Sequence, residues 1–190
     1  MSTSNVENLE IVPGRECGSC SLCCKLIAVV ELNKPEGVWC SHCEPGKARC
    51  LIYDSRPPSC QGFHCGWLQS TEFGPEWRPT TSKMVFATEG DGNRLTLYVD
   101  PSFPTNWRKE PYYSQLGNLA IHMAQQQKQL LVRINDRAIV LLPNREVDLG
   151  RCNKDDQILV FRNRNTGEWD ARLVAAKDVP PHVRGKWISS

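Results

Sequence analysis

Thiol groups are the chemically active side chains that this sequence concentrates most strongly. Nine of its ten cysteines lie between residues 17 and 65. Several are spaced as Cys-x-x-Cys, a step that lets two thiolates converge on one ion, and zinc takes four such ligands in a tetrahedron. The overlapping steps therefore predict a metal-binding cluster. Its candidate ligands are Cys17, Cys20, Cys23, Cys24, Cys40, Cys43, Cys50, Cys60 and Cys65.

The redox compartment decides whether these thiols are metal ligands or disulfide partners. The first ten residues contain no basic segment and no apolar stretch, so we expect no secretory signal peptide and a cytoplasmic location. Disulfides rarely persist in that reducing compartment. Spacing and compartment together favour metal binding, and the alternatives are a disulfide-stapled domain or a chance crowding of inert thiols.

Adjacent Cys23 and Cys24 constrain how the ligands are shared. Neighbouring side chains of an extended segment point to opposite sides, so we expect these two to serve neighbouring sites unless one is a packing residue. Nine cysteines can supply two four-cysteine sites with one left over, which gives one or two zinc ions. His42 and His64 lie inside or beside cysteine pairs and are further candidate ligands; the alternative for each is a hydrogen-bonded or solvent-facing ring.

Two stretches of the cluster resemble a known family. The run from Cys17 to Cys24, Cys-Gly-Ser-Cys-Ser-Leu-Cys-Cys, looks like the signature of the CxxCxxCC, or YkgJ-type, cysteine-cluster family, whose domain chelates zinc or iron. The run from Cys50 to Cys65 is similar to its second signature, Cys-x-x-Tyr-x-x-Arg-Pro-x-x-Cys-x-x-Phe-x-Cys, with Gln61 where the family usually has arginine. The resemblance covers about residues 15–67. It implies a metal centre without a reaction, although the related flagellin lysine methylases look like enzymes that use such a cluster.

The identity of the metal separates three functional hypotheses. Zinc fits a structural cluster, with the rest of the chain as an interaction or substrate platform. Iron, for instance as an iron–sulfur cluster, fits an enzyme of redox or group-transfer chemistry, because Cys-x-x-Cys-x-x-Cys also begins the ferredoxin pattern. The third and weakest hypothesis is a nucleic-acid-binding zinc module, which the negative charge of metal-bound thiolates disfavours. A protein partner fits the first hypothesis, but the sequence names no substrate.

Arg56 is the basic residue that lies inside the second cysteine run. We expect it to offset thiolate charge and to hydrogen-bond backbone carbonyls; the alternative is an anion-binding role. Outside the cluster, His122 is expected at the surface of a helix and Cys152 as a packed thiol. The arginines of the later strands, Arg133 among them, are expected on a solvated sheet face.

The chain changes composition near residue 70. Residues 1–70 carry six basic and seven acidic side chains and few apolar ones, so we expect a small irregular module that metal binding helps to fold. Residues 71–190 carry only one cysteine and read as a second domain of unknown role. Gly74-Pro75 and Arg78-Pro79 indicate a connector between the two.

The second part shows regular hydrophobic patterns. Leu95, Leu97 and Val99 alternate with polar residues, as in a half-buried strand, and Ser114 is placed to cap a helix that extends to about Lys128. The paired apolar runs predict three hairpins, formed by 84–87 with 95–99, 130–134 with 138–142, and 157–162 with 169–174. The predicted fold class is therefore α+β, with a metal-stabilised N-terminal module and a β-rich C-terminal part. No apolar run is long enough for a membrane span, so we expect no membrane partner.

Overall fold

Short elements carry the cysteine-rich part of the chain in the computed structural model, which describes residues 11–44, 47, 49–89, 92–153, 156–163 and 166–178. In chain order they are α1 (Cys23–Leu26), β1 (Cys43–Glu44), β2 (Arg49–Cys50), α2 (Pro58–Gln61) and α3 (Gly66–Gln69), with 3-10 turns at Val30–Leu32 and Tyr53–Ser55. β1 and β2 pair antiparallel. Each element has four residues or fewer, which agrees with the predicted irregular module.

A five-stranded sheet forms the second part. Its strands stand in the order β3-β4-β5-β6-β7, and a separate hairpin pairs β8 with β9. The elements are α4 (Pro79–Ser82), β3 (Met84–Glu89), β4 (Arg94–Val99), α5 (Tyr112–Gln125), β5 (Gln129–Ile134), β6 (Arg137–Leu141), β7 (Glu146–Arg151), β8 (Gln157–Arg162) and β9 (Trp169–Val174), with 3-10 turns at Pro75–Trp77, Asn106–Arg108 and Ala176–Asp178. The α+β class, the three hairpins and the long helix are confirmed.

Two features of this sheet were not predicted. β7 extends it beyond β6, and β4 pairs with β5 in parallel through a crossover that contains α5. The predicted cap of α5 is wrong, because the helix begins at Tyr112 and the Ser114 hydroxyl instead donates a hydrogen bond to Glu110 at 2.8 Å. None of the helices in the described parts of the chain is both long and apolar enough to cross a membrane.

The two faces of the sheet are covered differently. One face packs α5 against the largest core, in which Leu97, Val132 and Trp107 are fully buried. The opposite face is covered at the β6 side by the β8–β9 hairpin, where Val140 and Val160 meet. At the β3 side the same face is covered by the cysteine-rich module. The alternation predicted for β4 arises because Leu97 and Val99 face α5.

The segment predicted as a connector is folded into the core. Pro75 begins a 3-10 turn and Pro79 begins α4, so each proline occupies a first-turn position that needs no backbone N–H. Trp77 lies between them and is only 3% exposed. Its ring packs 5.1 Å from that of Phe86, measured between centroids. The change in composition near residue 70 therefore coincides with a region of close packing.

Candidate metal centre

Four thiols surround one small cavity at the junction of the module and the sheet. We call this group the first thiol set, and its members are Cys17, Cys20, Cys23 and Cys65. The cavity has a volume of about 30 Å³, is partly open to solvent, and is also lined by apolar side chains that include Phe63, Trp67 and Leu68. It is large enough for a water-sized occupant, which needs roughly 10–15 Å³, and too small for an organic cofactor.

Tight turns present the thiols of this set. The backbone N–H of Cys20 donates to the carbonyl of Cys17 at 2.8 Å, which folds the first Cys-x-x-Cys step into a turn. Cys65 precedes α3, whose first turn is held by a 2.8 Å bond from the Leu68 N–H to the Cys65 carbonyl. Leu26, Cys65, Leu68 and Val85 form a small buried cluster beneath the cavity. The first set thus brings together residues that are about 45 positions apart in the sequence.

A second group of thiols gathers around Cys24. We call it the second thiol set, and its members are Cys24, Cys40, Cys43 and Cys60. The Cys24 thiol interacts with that of Cys43, and Cys40 and Cys24 both lie within electrostatic reach of Cys43 and Cys60. The backbone supports the arrangement, because the Cys40 N–H donates to the Cys24 carbonyl at 2.9 Å and the Cys43 N–H to the Cys40 carbonyl at 3.0 Å.

Cys23 and Cys24 lie in a helical turn rather than in an extended segment. Both belong to α1, so successive side chains diverge by about 100° instead of pointing to opposite sides. Cys23 lines the cavity of the first set, whereas Cys24 interacts with Cys43 of the second set. The premise of extended backbone was wrong, and the two thiols also interact with each other. Their division between two neighbouring sites stays a prediction.

The environment shifts the pKa values of the two thiols of α1 in opposite directions. The interaction with the Cys23 thiol is the largest influence on Cys24 and, although burial acts in the opposite direction, it lowers the pKa of Cys24 to about 6. The nearby Lys34 and Arg56 lower this pKa further. The same interaction, followed by burial, raises the pKa of Cys23 well above its usual value. The Cys24 thiolate is therefore stabilised by its protonated neighbour, Cys23.

Burial is the main cause of a raised pKa at five further thiols of the two sets. It raises the pKa of Cys17, Cys20, Cys60 and Cys65, and it raises that of Cys43 to about 11. Thiolates are the form that binds metal, so metal binding at these residues must displace protons.

Basic side chains surround both sets. Arg56 lies within electrostatic reach of Cys17 and Cys24, and its Nε donates to the Tyr53 carbonyl at 2.9 Å. This arrangement matches the charge-offsetting role expected for Arg56. The sequence pattern did not indicate Lys34, which is 6% exposed and lies near Cys24 and Cys40. Its ammonium donates to the carbonyls of Lys25, at 2.7 Å, and Ile27.

Three remaining candidate ligands are assigned to neither set. Cys50 lies directly opposite Cys43 in the β1–β2 pair, so its side chain is on the same face of that pair. His42 and His64 are half-buried, and neither lines the cavity of the first set. Ligation by the histidines stays a prediction, and Cys50 is a fifth candidate for the second set. Cys152 is buried near β8, as expected for a packed thiol.

Thiolates of either set would suit zinc, but the thiols are not grouped closely enough to form a ligand shell. All ten cysteines are free thiols. Across the described parts of the chain, no group of three or more cysteine, histidine or acidic side chains stands close enough to hold a metal ion as it is. Binding of an ion by either set would therefore require its side chains to rotate toward a common centre.

Comparisons of the chain with known protein families, with characterised proteins and with solved structures find no match. The resemblance to the CxxCxxCC family accordingly rests on the two cysteine motifs alone and stays a prediction.

Proposed function

We propose that the protein binds two metal ions, zinc in preference to iron, one through the first thiol set and one through the second. The observation that carries this proposal is the cavity of ionic size lined by Cys17, Cys20, Cys23 and Cys65. Four thiols from two distant segments line one small cavity, and four sulfurs are what a structural zinc site requires. The grouping of Cys40, Cys43 and Cys60 around Cys24 supports the second site.

The proposed role of both ions is structural. The module between residues 11 and 70 contains short elements and few buried aliphatic side chains, so cross-links must hold it in place. An ion in the first set ties the Cys17–Cys23 turns to α3, and an ion in the second ties α1 to β1 and α2. An occupied site of four thiolates and one zinc carries a charge of about −2, which nearby Lys34 and Arg56 offset. The same charge argues against nucleic acid as a partner.

A reducing cytoplasmic location belongs to the same proposal, because only reduced thiols can ligate the ions. A protein partner remains part of the hypothesis without a contact surface assigned to it.

The test is metal stoichiometry in protein purified without oxygen, measured by elemental analysis together with a visible spectrum. We expect about two zinc ions per chain and no colour. Cys20→Ser and Cys65→Ser should each lose the ion of the first set and keep about one ion per chain. Cys43→Ser and Cys60→Ser should each lose the ion of the second set and likewise keep about one. The double variant Cys20→Ser with Cys43→Ser should bind none.

The matched control is Cys152→Ser, which changes a cysteine that is not a candidate ligand and should retain the wild-type metal content. Cys50→Ser should also retain it if Cys24, Cys40, Cys43 and Cys60 complete the second set. Loss of one ion in Cys50→Ser alone would keep the metal proposal but contradict the assignment of the second set. Loss of both ions in every single variant would indicate one shared cluster. Iron with matching sulfide and visible absorption would support the redox-enzyme alternative, and metal-free protein without free thiols would refute the proposal.

A further inference from the structure

The outer surface of α5 lacks the charged side chains that a helix on a protein surface usually carries. Leu116, Ala120 and Met123 face the core of the sheet and are buried. Residues 112–127 contain no aspartate, glutamate, lysine or arginine, whereas a stretch of this length would hold about four at the chain average of 23%. Charged groups are depleted at the centres of protein interfaces, so this surface has the composition of a contact surface.

The side chains that point away from the core form one row along α5. Successive residues of a helix turn by about 100°, which places this row opposite the buried residues. We call it the outer face of α5, and its members are Ser114, Gly117, Asn118, Ile121 and Gln125, all of them exposed. The outer face therefore combines small or uncharged polar residues with one aliphatic side chain.

Gly117 leaves a notch in the outer face. A Cβ built on this residue would meet no atom of the described parts of the chain within 4 Å, its chain neighbours and its own helix backbone aside. The position lies inside α5, where glycine is among the least favourable residues because it loses the most backbone freedom on folding. Packing among the described residues does not account for glycine here, whereas the close approach of another backbone would.

The notch opens into an apolar groove beside the helix. The groove has a volume of about 320 Å³ and lies between α5 and the connection from β6 to β7. Besides Gly117, its lining includes the apolar side chains of Ala120, Leu141 and Leu142. An aliphatic side chain that entered from outside at Gly117 would therefore meet apolar surface.

Ile121 is a projection that matches this notch. Its side chain is 44% exposed, and it lies four residues from Gly117, about 6 Å along the helix axis. If two antiparallel copies of α5 meet with the two-fold axis at Leu119, Ile121 of each copy faces Gly117 of the other. One projection and one notch on the same face make that face self-complementary, as a two-fold interface requires. A face without charges also meets its own copy without like-charge repulsion.

We propose that the protein forms a two-fold symmetric dimer in which α5 packs antiparallel against α5 of a second copy, with Ile121 of each copy in the notch at Gly117 of the other. The helix has 14 residues and is about 21 Å long. The contact is therefore smaller than that of a permanent dimer, and association is weak and reversible. We expect a dissociation constant of about 10–100 µM.

The test is the molar mass of the full chain in solution, measured by sedimentation velocity and by light scattering after size-exclusion chromatography. The protein is purified without oxygen and kept with a reducing agent, so that no disulfide can link two copies. We expect the mass to rise from 21.5 kDa, the mass of one chain, toward about twice that value as the concentration increases from about 1 to 500 µM. Raising the salt concentration from about 50 to 500 mM should change the dissociation constant less than about threefold, because the outer face carries no charge.

Variants of the projection and the notch decide whether α5 forms the contact. Gly117→Ile fills the notch and Ile121→Gly removes the projection, so each should raise the dissociation constant about tenfold or more. The double variant Gly117→Ile with Ile121→Gly exchanges the two positions and again sets a projection opposite a notch. It should recover a dissociation constant within about threefold of the wild-type value. Val30→Ala is the matched control, because Val30 is 67% exposed in the cysteine-rich module, and it should leave association unchanged.

Three outcomes would overturn the inference, each in variants whose circular dichroism shows an intact fold. They are a wild-type chain that stays monomeric at about 500 µM, association that neither single variant weakens, and a double variant that associates as weakly as the two single variants. The proposal rests on neither thiol set. A metal-free protein that dimerises as described would support the contact through α5 and refute the proposed metal function, and a zinc-loaded monomer would do the reverse.

Discussion

Replacing Leu68 by alanine tests whether the thiol cavity is built on a buried junction between the module and the sheet. Leu68 is 1% exposed, lines the cavity of the first thiol set and belongs to the buried cluster with Leu26, Cys65 and Val85. Its backbone carbonyl also accepts the Val12 N–H at 2.8 Å, and a substitution by alanine retains that bond. The change therefore isolates side-chain packing from backbone structure.

The expected loss of stability follows from the burial of the whole side chain. Leucine to alanine removes the equivalent of three buried carbon groups, worth about 0.8 kcal/mol each in transfer free energy. The space left behind adds a cavity contribution, and measured leucine-to-alanine changes in cores fall between about 2 and 5 kcal/mol. We expect the free energy of unfolding to fall by about 3 kcal/mol, and zinc to dissociate faster because the cavity loses part of its wall.

Urea unfolding of the zinc-loaded protein, followed by tryptophan fluorescence, measures the first effect, and transfer of zinc to a coloured chelator measures the second. Leu51→Ala is the matched control because Leu51 lies in the same module and is 56% exposed. Its effect should stay within about 0.5 kcal/mol. A loss below about 1 kcal/mol for Leu68→Ala, or equal losses for both variants, would show that the junction is not packed as described.

Further predictions concern the contacts between the two parts and the thiol chemistry. Burial alone would raise the pKa of Asp100, but hydrogen bonds from Lys25 and Ser102 outweigh it and lower the pKa. The ionised Asp100 side chain therefore stabilises the fold fully above the unfolded pKa of about 3.9. This stabilisation is lost as the pH falls through the lower pKa of the folded state. Asp100→Asn should therefore reduce stability at neutral pH by about 1.5–3 kcal/mol and flatten the acid unfolding curve measured by circular dichroism. Gly37 has a φ of +74°, and an added Cβ would lie 2.1 Å from Asn135 Oδ1. Gly37→Ala should therefore lower the free energy of unfolding, measured by urea titration, by more than about 1 kcal/mol. Adding Asn135→Gly to that variant should restore part of the loss. Because metal binding must displace thiol protons, zinc affinity measured by chelator competition should rise about tenfold or more per pH unit from pH 6 to 8, and a flat profile would contradict thiolate ligation.

Local patterns in the sequence were sufficient to predict the hairpins. Alternation in β4 and the short turn between β5 and β6 are decided by residues that are close in the chain, so the period-two pattern identified them. β7 was not predicted because it packs at the edge of the sheet and carries the polar sequence Glu-Val-Asp-Leu-Gly-Arg. The parallel pairing of β4 with β5 depends on how α5 crosses the sheet, which no local pattern records.

Cysteine spacing defined a pool of candidate ligands but not how these thiols are arranged in space. The division into two sets depends on the helical turn at Cys23 and Cys24, and that turn is only four residues long. Lys34 was missed because its burial comes from tertiary contacts rather than from its polar sequence neighbours. Arg133 was predicted on a solvated sheet face, yet its side chain is only 17% exposed and pairs with Glu36, which lies 97 positions away. Long-range charge pairing of this kind leaves no signal in a single sequence.

The parallel pairing of β4 with β5 also sets the order in which the chain can fold. The antiparallel pairs join strands that are neighbours in sequence, so their hairpins can form within microseconds. β4 and β5 instead meet only after the segment between Val99 and Gln129, with α5 inside it, has closed into a loop. We expect this closure to limit the folding rate. Substitutions at Leu97 or Val132 should then slow refolding, whereas substitutions in the β8–β9 hairpin should mainly accelerate unfolding.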